Sequence, residues 1–118
     1  MPGLISDCCM KIKVESTLQN NASIQLESKF GIYKMEQDLV NGKTHYSSTF
    51  DDGKYGIWYT TQNNWMLGFT SGRGGVGGVL FVSGSSFSCP TDPTKDWKYL
   101  RSSNDWPVAK GVKINCDL

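Results

Sequence analysis

Apolar and polar residues alternate along this chain in short runs. Met10, Ile12 and Val14 alternate with Lys11 and Lys13, and Val112 and Ile114 alternate with Lys113 and Asn115. A period of two places each set on one face of a strand. Strand-like segments are Met10–Val14, Ile24–Leu26, Gly31–Met35, Thr44–Thr49, Tyr55–Thr60, Trp65–Phe69, Val79–Ser83, Trp97–Leu100 and Val112–Cys116. Turn signals separate most of them. Asn41-Gly42 is the favoured two-residue hairpin dipeptide, because both positions tolerate positive φ. Asp51-Asp52-Gly53 and Gln62-Asn63-Asn64 read as further turns, and Pro90 and Pro93 bracket a loop after Cys89. Helical signals are confined to residues 33–40, which Asn41-Gly42 would stop, and to Thr94–Trp97 with Thr94 as N-cap. Short strands at this spacing predict an all-β domain, a compact antiparallel β-sandwich or small barrel of about eight or nine strands.

The middle of the chain departs from clean alternation. Tyr55, Ile57 and Tyr59 oppose Gly56, Trp58 and Thr60, and Trp65, Leu67 and Phe69 oppose Met66, Gly68 and Thr70. A hairpin with large side chains on both faces is expected at the centre of a sheet, or with its second face against a loop or ligand.

Composition narrows the class. The chain has 118 residues, 12 basic and 11 acidic, for a formal net charge of +1. One domain is expected over 8–118, with 1–7 as a flexible lead-in. The small net charge argues against a nucleic-acid partner bound by bulk electrostatics. No apolar run approaches the roughly 18 residues of a membrane-spanning helix, so no membrane insertion is expected.

The four cysteines, Cys8, Cys9, Cys89 and Cys116, contain no C-x-x-C spacing. This favours disulfides and a secreted setting over a zinc site. The first residues, Met1 to Asp7, do not read as a secretory leader. Strand parity places Cys8 with Met10, Ile12 and Val14, and Cys116 with Val112 and Ile114. If the terminal strands are antiparallel, Cys8 meets Cys116 on the buried side and Cys9 is left for Cys89, one of three connectivities. Asn21-Ala22-Ser23 is a glycosylation sequon, making Asn21 a candidate acceptor.

Catalytic signals are weak. Gly72-Arg73-Gly74-Gly75-Val76-Gly77 matches G-x-G-x-x-G, but the following Val79–Val82 reads as a strand, where a dinucleotide site needs a helix. A glycine-rich hairpin loop with Arg73 at its tip is the plainer reading. His45 is the only imidazole and follows a turn directly. Glu36, Asp38, Asp51, Asp52, Asp92, Asp96 and Asp105 supply carboxylates without singling out a pair. Asp51-Asp52-Gly53 lacks the further oxygens of a calcium loop. No catalytic residue, metal or cofactor is therefore expected.

Tryptophan is the most informative group. Trp58, Trp65, Trp97 and Trp106 all lie near polar residues. Trp65 shares a face with Leu67 and Phe69 and is expected in the core. Trp58 shares a face with Gly56 and Thr60, which marks it as the best exposed candidate, followed by Trp106 before Pro107.

In order, the chain carries Gly31-Ile32-Tyr33, Asn41-Gly42-Lys43-Thr44-His45-Tyr46, Ile57-Trp58-Tyr59, Trp65-Met66-Leu67-Gly68, Cys89-Pro90, Trp97, Trp106 and Ile114-Asn115-Cys116. This order resembles a small cysteine-containing module of extracellular multidomain proteins of marine invertebrates. The resemblance spans about residues 8–118 and implies an extracellular setting and a β-rich fold, without a mechanism.

The resulting expectation is an extracellular binding or adhesion module with a glycan or extracellular protein as partner. Its site would use Trp58, Tyr59, Asn63, Asn64, Arg73 and Trp106. The alternative is a self-associating structural subunit of a matrix or filament, and a small hydrolase is third.

Overall fold

The computed structural model describes residues 8–83, 88–93 and 95–117. The lead-in over 1–7 and the N-cap reading of Thr94 lie outside the described residues. Eight strands are present: β1 (Lys11–Ser16), β2 (Gly31–Val40), β3 (Lys43–Ser48), β4 (Tyr55–Tyr59), β5 (Asn64–Phe69), β6 (Leu80–Ser83), β7 (Lys98–Tyr99) and β8 (Val112–Cys116). They form one antiparallel sheet in the order β7-β6-β5-β4-β3-β2-β1-β8, curled like half a barrel. The fold is all-β, as the alternation predicts.

Consecutive strands from β1 to β7 are neighbours, so local turns set most of the topology. At the β2–β3 turn Asn41 and Gly42 have φ of 52° and 81°. This is the pair of positive φ values that matches hairpin twist. The C-terminal strand β8 then returns to pair with β1, with Ile12 opposite Cys116 and Val14 opposite Ile114.

The concave side holds the core. Ile12, Val14, Tyr33, Tyr46, Ile57, Trp65, Leu67, Leu80, Val82, Val112 and Ile114 project into it from the strands. Tyr33 and Tyr46 are buried and satisfy their hydroxyls by donating to Lys29 O and Cys9 O, each at 2.6 Å. Burial pushes the Tyr46 phenol up to about 12, so it stays a donor at any ordinary pH.

One predicted strand is a helix. Ile24–Leu26 falls in α1 (Asn21–Leu26), which is capped by reciprocal bonds between Asn20 and Ser23. Ala22 and Leu26 enter the core while Ile24 is exposed. That is helical spacing, with partners four apart. The residues 33–40 reverse the error: they are strand β2, interrupted by a bulge between Met35 and Leu39.

The bridges join Cys8 to Cys89 and Cys9 to Cys116. The expected pairing of Cys8 with Cys116 is thus wrong. Parity counts only along a continuous strand, and β1 starts at Lys11, after bends at Cys8 and Met10. Cys116 is exposed rather than on the buried side. Two disulfides fit an oxidising setting.

Candidate functional site

The convex face of the sheet divides into a sealed centre and an open rim. At the centre, Trp58 on β4 lies opposite Met66 on β5. Residues 70–79 fold back over both. The Trp58 indole N–H donates to Gly75 O at 2.8 Å, and Val79 N–H donates to Leu67 O at 2.8 Å. The glycines make this approach possible. A Cβ on Gly68 would lie 2.9 Å from the Trp58 ring and 3.0 Å from Gly78 Cα. A Cβ on Gly78 would collide with Met66 and sit 2.7 Å from Leu67 O.

This arrangement corrects the sequence expectation for Trp58. It is 0% exposed, a packing residue with its one polar atom satisfied internally. Its small neighbours make room for the indole and the loop; they do not mark open surface. The β4–β5 hairpin is central, and its second face meets a loop, as expected from its large residues on both faces.

Beside Trp58 lies a polar cluster built by the β2 bulge. Met35 pairs with Tyr46 and Leu39 with Thr44, so Glu36, Gln37 and Asp38 together oppose His45. Bulges re-aim side chains in this way. Here both carboxylates reach β3. Ser47 donates its hydroxyl proton to Glu36 and accepts from Arg73 Nη2 at 2.6 Å. His45 Nε2 donates to Asp38 Oδ1 at 2.7 Å. The His45 side chain is 1% exposed and that of Asp38 80%. The bond from His45, helped by the backbone N–H of Asp38, holds the Asp38 carboxyl below its usual range. His45 Nδ1 and Arg73 Nε are buried without partners. Ser47 and His45 thus bond separate carboxylates and not each other. Arg73 is likewise not at a loop tip; it is half-buried and ties residues 70–79 to β3.

Tyr59 and Asn63 are also consumed structurally. Tyr59 is buried on the core face, packs edge-on against Trp65 at 5.4 Å, and donates its hydroxyl to Asn63 Oδ1 at 3.2 Å. Asn63 has φ of 63° in the β4–β5 turn, where asparagine is tolerated. Asn21 is exposed at the start of α1.

The open rim lies at β6 and β7. A groove of about 340 Å³ is lined by Phe81, Val82, Ser83, Lys95, Asp96, Lys98 and Val108. Trp106 stands edge-on against Phe81 with ring centroids 4.9 Å apart, and both are half-buried. Asn64 lies opposite Ser83 across β5 and β6. Of the residues anticipated for recognition, Trp106 and Asn64 are therefore beside this groove, and Trp58, Tyr59 and Arg73 are not available to it. Phe81 was missed because it sits in an apolar run, Val79–Val82, that reads as fully buried. The parity of that run was the available signal: Leu80 and Val82 face the core, so Phe81 faces out.

Compared with family models, curated proteins and solved structures, the chain matches none.

Proposed function

We propose that this chain is a secreted binding module that takes a glycan into the β6–β7 groove. The observation that carries the reading is the Phe81 ring in the groove lining with Ser83, Asp96, Lys95 and Lys98, and Trp106 packed edge-on against that ring. Sugar rings offer an apolar face to an aromatic wall and hydroxyls to carboxylates, amides and ammonium groups. Ligand sites of this kind are concave, with apolar walls and a few placed polar groups. The two disulfides support an extracellular setting, as does the resemblance to extracellular modules.

A glycan array with the wild-type protein, followed by titration of the best neutral ligand, tests this reading. Trp106→Ala is expected to weaken binding about tenfold or more, matching the ~1.4 kcal/mol per decade of affinity. An array without ligands, or full affinity in Trp106→Ala, rejects the groove as a glycan site.

A further inference from the structure

The outward face of β8, β1 and β2 carries a different chemistry. Outward positions alternate with Ile12 and Val14, which are buried. They are Lys11, Lys13 and Glu15 on β1, Ile32 and Lys34 on β2, and Lys113 and Asn115 on β8, placed by the register of the two ladders. All four lysines are exposed. Lys11 stands directly opposite Lys34, and Lys113 directly opposite Glu15. Among the described residues the ion pair in this patch is Lys13 with Glu15, at 3.6 Å. Lys11, Lys34 and Lys113 form none there.

Like charges directly opposite each other across a ladder destabilise it. The fold carries that cost at Lys11 and Lys34 on an open surface, where a neutral pair would serve the strand equally well. Asp117 continues the outward side of β8 beside Lys11, with its N–H donating to Lys11 O at 3.0 Å. Four lysines against Glu15 and Asp117 leave this face at +2, and the rest of a chain of formal net charge +1 at −1. Strands about 4.8 Å apart with a rise of about 3.3 Å per residue set the backbone positions of Lys11, Lys13 and Lys34 about 5–7 Å from their nearest lysine, with Lys113 diagonal to Lys13 at about 8 Å. That is the density of a polyanion, not of a single anionic group.

We propose that this face binds a linear sulfated polysaccharide. Sequence-tolerant binders of single-stranded nucleic acid pair a basic groove with aromatic stacking platforms. The outward positions of these three strands hold no aromatic residue, and they lie on the convex side of the curled sheet rather than in a groove. An oxidising setting, fitted by the two disulfides, favours a sulfated sugar polymer over a nucleic acid. This site is separate from the β6–β7 groove, and its recognition is electrostatic where the groove's is by shape.

Titration of the intact, disulfide-bonded protein with a heparin oligosaccharide across a salt series tests the proposal. The wild type is expected to bind with a steep salt dependence. Lys11→Gln/Lys34→Gln is expected to lose about tenfold or more in affinity and to flatten the log–log salt slope by about two, one contact for each lysine removed. The double variant should keep or slightly raise its thermal midpoint, since it removes a repulsive pair, so a folding defect would be visible separately. Lys95→Gln/Lys98→Gln, in the groove, should bind heparin as the wild type does, and Trp106→Ala should do the same. The proposal is overturned if the wild type does not bind heparin at low salt, or if Lys11→Gln/Lys34→Gln binds unchanged. It is equally overturned if the groove lysines carry the binding, or if single-stranded DNA of equal charge binds as tightly as heparin.

Discussion

The β4–β5 hairpin and the β8–β1–β2 flank are built on the same inward alternation and diverge on the outward side. In the hairpin every residue of β4 is buried, whichever way it points. In the flank, β1 alternates Lys11, Ile12, Lys13, Val14 between exposed and buried positions. The difference is the cover: residues 70–79 lie over Trp58 and Met66, and no described segment lies over the lysines of the flank. Strand parity distinguishes inside from outside only where one face is left to solvent. Where both are covered, bulk on the outward positions announces a third layer.

The largest test of this contrast is Trp58→Ala. Truncating a buried tryptophan typically costs about 3–5 kcal/mol. The same truncation at Lys13, on the flank, should stay within about 0.5 kcal/mol. Urea unfolding with the disulfides intact measures both. A cost below about 1 kcal/mol at Trp58 would mean that the cover contributes little.

A finer test uses two glycines one residue apart. Gly78→Ala forces a Cβ against Met66 and the Leu67 carbonyl, where overpacking costs about 1–3 kcal/mol. Gly77→Ala meets nothing within 4 Å. It should be neutral or stabilise by up to about 1 kcal/mol by restricting the unfolded chain. Equal effects at the two positions would show that residues 70–79 do not press on the sheet.

Strands, hairpin turns and the outward lysines were legible because each is a local pattern. The failures have physical causes. Trp58 was misplaced because Gly56 and Thr60 looked like a thin surface, when the missing side chains of Gly56 and Gly68 are the space the loop and indole occupy. The cysteine pairing failed because parity was carried past the first ladder residue, Lys11, into a bent segment. The helix at Asn21–Leu26 hid behind its apolar Ile24, though Asn20 as a cap and Ala22 and Leu26 at four-residue spacing were readable. The cluster of Glu36, Asp38, His45, Ser47 and Arg73 was invisible as a unit. Its assembly depends on a bulge in β2 and on a loop from beyond β5, and neither has a sequence signature here.

That bulge supplies the smallest effect. Asp38 is exposed, yet it accepts a bond from the buried His45, and its carboxyl is held below the ordinary value of 3.8. A carboxylate whose pKa is lowered by folding stabilises the native state above its unfolded value and loses that contribution as pH falls through the folded value. The stabilisation is therefore fully present at neutral pH and fades below 3.8. Asp38→Asn removes the titrating group while keeping an acceptor for His45 Nε2. Urea midpoints of the two proteins should differ at neutral pH, and the gap should close as the Asp38 carboxylate protonates below its ordinary value of 3.8. Parallel profiles through the acidic range would mean that the bulge positions Asp38 without stabilising the sheet. A closing gap would show that the bulge, which interrupts the ladder between centre and flank, returns part of its cost through the Asp38–His45 contact.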